Sequence, residues 1–336
     1  MKILLTFDYE LFFGQNSGSL DNCLINPTNY LIKILNQYDV KATFFVDVGY
    51  IDCLNRNRKD YLELDIEYNK ITSHISSLSN SGHDIQLHIH PHWKDCNFNG
   101  KIWDIDTRRY RLHDFPEEEV DQIVKDYKNK LEEITGKRII AYRGGGWCIQ
   151  PFEHIKKALL SNGVIIDSTV FKGGYYQSDT HYFDFHEAEE KTIWRFEDDP
   201  NNEEKSGSFV EIPISSIRTS PLFFWKLAMA KKMGGDIHKS FGDGTAVKAD
   251  QANLIRMLTT YTSTVVSMDG YKSSLLKKAF EIYNKKYKEK DYFVAIGHPK
   301  SLSPYALKKI DEFIKHTIDQ NIYTTYQREV ENGLLE

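Results

Sequence analysis

Short apolar runs recur along the chain, each closed by a polar or turn-forming residue. Ile3–Phe7 runs into Asp8, Ala42–Val46 into Asp47, Ile85–Leu87 into His88 and Ile139–Tyr142 into Arg143. Val164–Ile166 then reaches Asp167, Phe209–Ile212 reaches Pro213 and Phe293–Gly297 reaches His298. Runs of this length and composition read as strands buried on both faces. Between them the apolar period lengthens to that of a helix. After Asp114 and Pro116, the residues Val120, Ile123, Val124, Tyr127, Leu131 and Ile134 share one face, and Gly136 closes it. Pro27–Asp39, Pro151–Asn162, Asp250–Thr262, Ser273–Lys288 and Ser303–Asn321 read the same way. Strand alternating with helix implies parallel strands joined by right-handed crossovers. About seven such strands predict an α/β fold of (β/α)-barrel type rather than a short open sheet. In barrels the working residues stand at the strand ends, so the polar residue closing each run is where chemistry is expected.

Two stretches interrupt the alternation and read as insertions, 94–115 and 173–208, within a single domain spanning 1–336. The acidic groups at 187–190 and 197–204 read as a solvated loop. Ser220–Gly235 carries an apolar stripe with three lysines, read as core or cap packing rather than membrane-surface contact, because its basic face is small.

Composition narrows the class. Hydrophobic residues at 40% and charged residues at 27% support a sizeable core and exclude disorder over the whole chain. The formal charge of −5 argues against a nucleic-acid partner. No window approaches the roughly 18 consecutive apolar residues of a membrane-spanning helix. The start lacks the apolar core and cleavage site of a signal peptide. The four cysteines show no CxxC spacing and read as reduced thiols, consistent with a cytoplasmic protein.

The densest chemistry lies in His83–Trp93, which holds three histidines within five residues, His88, His90 and His92. Strand alternation puts Gln86, His88 and His90 on one face, while Pro91 stops the strand and leaves His92 to a turn. His88 and His92 are also four apart, so a single turn would aim both at one point. Imidazoles so concentrated point to a zinc-like metal. A catalytic zinc site needs a third protein ligand and an open position for water. The end of the first strand offers Asp8 and Glu10 on one side, with Tyr9 opposite. One carboxylate can bind metal while the other takes a proton. Arg143-Gly144-Gly145-Gly146-Trp147 fits neither phosphate-loop pattern and reads as a close-packed loop. It would turn Arg143 toward a carboxylate or substrate and make Trp147 a wall. His298, at the same rim, is a general-acid candidate.

In this order the motifs resemble the polysaccharide deacetylase superfamily, the NodB-homology enzymes of carbohydrate esterase family four. Thr6-Phe7-Asp8 is similar to the opening TFDDG motif, and His88-x-x-x-His92 to the metal-binding H-[ST]-x-x-H. Arg143–Trp147 resembles the third motif, Asp167 lies near the fourth, and Gly297-His298 is similar to the closing L-x-H. The forms HIHPHW and RGGGW are closest to members associated with bacterial surface-glycan biosynthesis. Tyr9 replaces the second Asp of the opening motif, so Asp8-x-Glu10 resembles the D-x-D version found in some branches. Ile89 follows His88, and the usual Pro-Tyr-Gly is missing from the arginine loop. These departures point away from chitin or peptidoglycan polymers.

The resemblance implies a distorted (β/α) barrel and metal-dependent removal of an N-acyl group, acetyl first, from an amino sugar of a surface glycan or its precursor. It implies a divalent metal, zinc first, on Glu10, His88 and His92, with Asp8 or His90 the alternatives to Glu10. Asp8 would act as base, Arg143 would hold it ionised, His298 would act as acid, and Asp167 would join the catalytic set. Trp147, Trp93 and Tyr9 are the expected substrate contacts. A non-catalytic glycan-binding relative, and a deformylase or other amidohydrolase on the same barrel, are the alternatives.

Overall fold

A computed structural model describes residues 1–247 and 251–335. Each of the seven runs is a strand: Lys2–Tyr9, Thr43–Asp47, Asp84–Ile89, Ala141–Gly144, Ile166–Asp167, Phe209–Glu211 and Tyr292–Gly297. Every described pairing among them is parallel. The chain divides into two compact units, one of Met1–Ala42 with Ile214–Thr324, the other of Thr43–Pro213 with Thr325–Glu336.

In the first unit, Lys2–Tyr9 lies between Tyr292–Gly297 and the short strand Ile322–Tyr323, with Ile3 opposite Phe293 and Tyr323. The first two strands are buried along almost their whole length, which is why they read as continuous apolar runs. Gly297 closes the pairing opposite Phe7, and a Cβ there would stand 2.9 Å from the Phe7 ring and 3.1 Å from Met268. The helices Asn26–Gln37, Leu276–Lys286 and Pro304–Thr317 accompany these strands. Ser303 caps the last of them, its side chain accepting from Ala306 N at 3.2 Å. An antiparallel ribbon, Ser216–Thr219 with Thr262–Val265, carries two further helices, Pro221–Met233 and Gln251–Thr259. The expected helix start at Asp250 lies outside the described residues.

Pro221–Met233 corrects one expectation. It does not pack as core, for Phe224 is its one buried residue. The stripe read as core-facing is mostly open to solvent.

In the second unit the parallel order is Thr43–Asp47, Asp84–Ile89, Ala141–Gly144, Ile166–Asp167, Phe209–Glu211, with Trp194–Phe196 added antiparallel at the end. The register pairs Asp47 with His88, His88 with Arg143, Tyr142 with Asp167, and Asp167 with Glu211. Polar residues at successive strand ends are thereby drawn into one row, a consequence of register alone. The helix Glu117–Thr135 buries Val120, Ile123, Val124, Tyr127 and Leu131 as its period predicts, and ends at Gly136 with φ of 65°. Thr135 is buried there, while Ile134 is only half-buried. Three helices of this unit carry no signal in the pattern, Val48–Asn57, Leu62–Asn80 and Tyr326–Glu331. The first begins without a break after its strand, on a cap in which Asp47 accepts from Gly49 N at 3.1 Å. The stretches 94–115 and 173–208 contain short antiparallel hairpins, Asn97–Phe98 with Trp103–Asp104 and Tyr175–Gln177 with Tyr182–Asp184. Glu187, Glu190, Glu203 and Glu204 are exposed, as a solvated acidic loop requires.

Three half-buried histidines of this unit, His74, His113 and His181, are each pushed down to about 4 by burial. Between that value and the ordinary 6.5 the unfolded chain binds protons that the folded chain refuses. Their contribution is complete above 6.5 and is lost as pH falls toward 4, by at most about 1.4 kcal/mol per pH unit for each. Urea unfolding between pH 7 and 4.5 is expected to show this slope. His113→Gln should reduce it by about a third, since His74 and His181 remain; an unchanged slope would mean that His113 titrates normally in the folded chain.

Candidate active site

The first unit gathers a charged cluster at the end of Lys2–Tyr9. Asp8 and Glu10 are both buried, and His298 Nε2 lies 3.7 Å from an oxygen of each. The alternation expected for this pair is therefore realised. His298 follows the last residue of its strand, where Gly297 permits close approach to Phe7. Its Nδ1 donates to Asp269 Oδ2 at 2.9 Å, and its backbone N–H to Asp269 Oδ1 at 2.8 Å. This bidentate hold leaves Nε2 aimed at the two carboxylates. Burial opposes a charge on His298, but Asp269, Asp8 and Glu10 outweigh it and raise the imidazole above its usual range. Burial likewise opposes the Asp269 carboxylate, yet His298 and Lys272 hold it below its usual range. Lys300 Nζ donates to Glu10 Oε1 at 2.9 Å and to Leu11 O at 2.6 Å. Asp8, Glu10 and Asp269 thus face His298, Lys272 and Lys300, so the cluster balances when His298 carries a proton.

Asp269 and Lys300 were not singled out from the sequence. Asp269 follows the apolar stretch Val265-Val266 after one polar residue and Met268, a strand-end signal like the seven used above. Lys300 offered none, since a surface lysine after a turn looks the same.

The second unit holds the histidines. His88 Nδ1 lies 2.8 Å from Arg143 O. A carbonyl only accepts, so Nδ1 carries the proton and Nε2 presents a lone pair. That Nε2 stands 3.1 Å from His90 Nε2, with the two rings 4.7 Å apart and nearly perpendicular. Two imidazole nitrogens facing at this distance need a proton or a cation between them. The pair brought together is thus His88 with His90. His92 instead stacks on Trp93 and on Tyr110, ring centroids 5.5 Å away in each case. His90 is also fixed from behind, for a side chain at position 145 would come within 2.4 Å of Ile89 O and 2.8 Å of His90 Nδ1. Asp47 braces the segment, accepting from His90 N at 3.3 Å and from Trp93 Nε1 at 2.8 Å.

Arg143 is fully buried. Its Nε donates to Ser168 O at 2.7 Å, its Nη2 meets Ser168 Oγ at 3.1 Å, and its guanidinium lies 4.1 Å over the Phe45 ring. Asp167 accepts from Thr169 N and Oγ1 at 3.0 and 2.8 Å. Glu211 stands opposite it in the sheet; burial pushes both carboxyls up, and nearby Arg143 only partly offsets this. Glu211 carries no signal of its own in the sequence, because it lies inside the apolar run Phe209–Ile212 rather than at its end.

The expected substrate contacts divide. Tyr9 is 1% exposed and Trp93 not at all, its indole N–H given to Asp47. Trp147 is half-buried and adopts a left-handed φ of 61°, directly after Gly146 at 59°. A non-glycine residue costs of order 1–3 kcal/mol in such a conformation and persists where its surroundings hold it. Here Phe171 and Phe183 do so edge-on, at 5.3 and 5.6 Å.

The family model of polysaccharide deacetylases matches residues 2–149. No curated protein matches the sequence. Among solved structures, the chain is similar to a Mycobacterium smegmatis protein assigned as a polysaccharide deacetylase, at 18% identity and a TM-score of 0.53 over 98% of this chain and 89% of that one. It is similar to the Puue allantoinase at 13% identity and a TM-score of 0.52, with the same coverage. At these identities the likeness is one of fold, a mostly parallel α/β sheet of the distorted-barrel type. Residues 2–149 are thus similar in sequence to the polysaccharide deacetylases, and nearly the whole chain shares the fold of a solved protein assigned to them.

Proposed function

We propose that the protein hydrolyses an N-acyl group, acetyl in the first instance, from an amino sugar of a surface glycan or its precursor. A divalent metal, zinc first, would be held by His88 and His90 together with Glu10. The facing Nε2 atoms of His88 and His90 carry this reading, and they favour His90 over His92 as the second imidazole. The donor set suits zinc, which takes neutral imidazole nitrogen and carboxylate oxygen and keeps a position open for water. The His88 Nδ1 bond to Arg143 O is the outer support that a ligating histidine requires. Lys300 on Glu10 Oε1 is compatible, because a carboxylate offers about four lone-pair sites. When bound, the metal polarises the acyl carbonyl and lowers the pKa of water.

The chain's own residues supply the rest. Asp8 takes the proton of the attacking water. His298, held by Asp269, returns a proton to the amine nitrogen as the C–N bond breaks, since an amine leaves poorly as an anion. Arg143 orients the His88 end of the site through its carbonyl and its buried guanidinium. Asp167 and Glu211 position that guanidinium rather than meet substrate. Of the expected contacts, Trp147 is the one with surface to stack against a sugar.

The test is acyl release from unactivated N-acetyl and N-formyl amino sugars by the zinc-loaded and chelator-stripped protein. Zinc-dependent acetate release is expected, with formate release slower. Faster formate release would make the enzyme a deformylase. Release from neither substrate, with zinc and sugar both bound, would make the chain a glycan-binding relative.

A further inference from the structure

Among the described residues, large apolar side chains left exposed are concentrated in one stretch of the first unit. The helix Pro221–Met233 turns Leu222, Trp225, Met229 and Met233 to solvent, each more than half exposed. Ile237 follows, and Leu254, Ile255 and Tyr261 continue the surface along and just after Gln251–Thr259. Trp225 Nε1 donates to Leu258 O at 3.1 Å, which ties the two helices together while its indole stays exposed. Pro221–Met233 follows the ribbon strand Ser216–Thr219, and Gln251–Thr259 leads into its partner Thr262–Val265.

The two helices themselves carry only cationic charges, with the exposed Asp236 beside Ile237. No Asp or Glu occurs between Ile212 and Gly235 or between Gln251 and Met268, although the chain as a whole carries −5. Lys226, Lys231, Lys232 and Arg256 are exposed on the same helices. Isolated apolar side chains on a surface need no explanation, but a contiguous group of them marks a contact surface. Trp, Tyr, Leu and Met interleaved with exposed lysines match the interfacial zone of an anionic bilayer, where apolar side chains enter the acyl boundary and cations meet headgroups. A second copy of the same cationic surface would repel it. No helix among the described residues is long and apolar enough to cross a membrane, so the contact would lie in the surface.

We propose that the helices Pro221–Met233 and Gln251–Thr259 form a docking surface for an anionic lipid bilayer. Their inner side is joined to the acid of the candidate site, for Phe223 stacks on Tyr271 at 5.8 Å, two residues beyond the Asp269 that holds His298. On the deacetylase reading, upon which this clause rests, the amino sugar is then carried by a lipid anchor and presented from the bilayer.

The full chain is sedimented with phosphatidylcholine vesicles, with and without phosphatidylglycerol, at low and at physiological salt. Binding at least about tenfold tighter to the anionic vesicles is expected, weakening as salt screens the lysines. Trp225→Glu with Met229→Glu should abolish it, and Lys231→Gln with Lys232→Gln should remove the preference for anionic lipid. Circular dichroism and turnover of a soluble N-acyl amino sugar should stay unchanged in both. Equal or absent binding to the two vesicle types would overturn the proposal. So would a dimer dissolved by the glutamate substitutions with vesicle binding intact. Vesicle binding together with no acyl release from any substrate would leave the docking surface standing and remove the deacetylase reading alone.

Discussion

His90→Ala is expected to empty the metal site and to lower the rate of N-acyl hydrolysis by about 10²-fold or more, because a site reduced to one imidazole and one carboxylate no longer holds zinc tightly. Elemental analysis after dialysis should show zinc near one per chain in the wild type and little in the variant. His88→Ala should behave alike, since the two Nε2 atoms face one another at 3.1 Å. The control is His92→Ala. Its ring lies against Trp93 and Tyr110, so its removal should loosen packing and lower the thermal midpoint while leaving zinc bound. Loss of zinc in His92→Ala with retention in His90→Ala would return the ligand role to the HxxxH pair. Restoring zinc binding by His90→Gln, which keeps bulk without an imidazole, would also count against a ligating His90.

The second large effect concerns proton delivery. His298→Ala should cost about 10²-fold or more on an unactivated amide, the scale of general acid catalysis, with the metal retained. Because Asp269, Asp8 and Glu10 raise the His298 imidazole against the effect of burial, it stays protonated to a higher pH than an ordinary histidine. Asp269, which is not assigned to the metal, keeps its hold on Nδ1 in the zinc-loaded protein, so the alkaline limb of kcat/KM should depend on it. Asp269→Asn removes the nearest charge, at 2.9 Å, and should move that limb to lower pH while the fold persists. A structural role for Asp269 would lower the rate at every pH without moving the limb. Unchanged turnover in His298→Ala would exclude His298 as the acid. Asp8→Asn should match the loss of rate and likewise keep the metal.

The legible part of this protein is the part written in local pattern. All seven strands and most of the long helices are visible because a strand buried on both faces must be apolar throughout, and a half-buried helix must repeat with its own period. Asp8, Glu10, His88, His90, Arg143, Asp167 and His298 attract notice for the same reason, as polar residues where an apolar run ends. The helix Val48–Asn57 escapes because it starts without a break after its strand. Pro221–Met233 misleads because an apolar stripe looks the same in sequence whether it is covered or open; only the folded chain leaves Leu222, Trp225, Met229 and Met233 exposed.

Position along the chain thus determined which residues stand at strand ends and what chemistry they carry. Which of them meet was decided by register and by side-chain packing. His90 rather than His92 faces His88 because Pro91 ends the strand and the following turn lays His92 onto Trp93, with Asp47 and Gly145 fixing the bend. Asp269 and Lys300 join His298 and Glu10, and Glu211 joins Asp167, across separations in sequence that no local period encodes. Such contacts come from burial of the strands that carry them, and burial is a property of the folded chain as a whole.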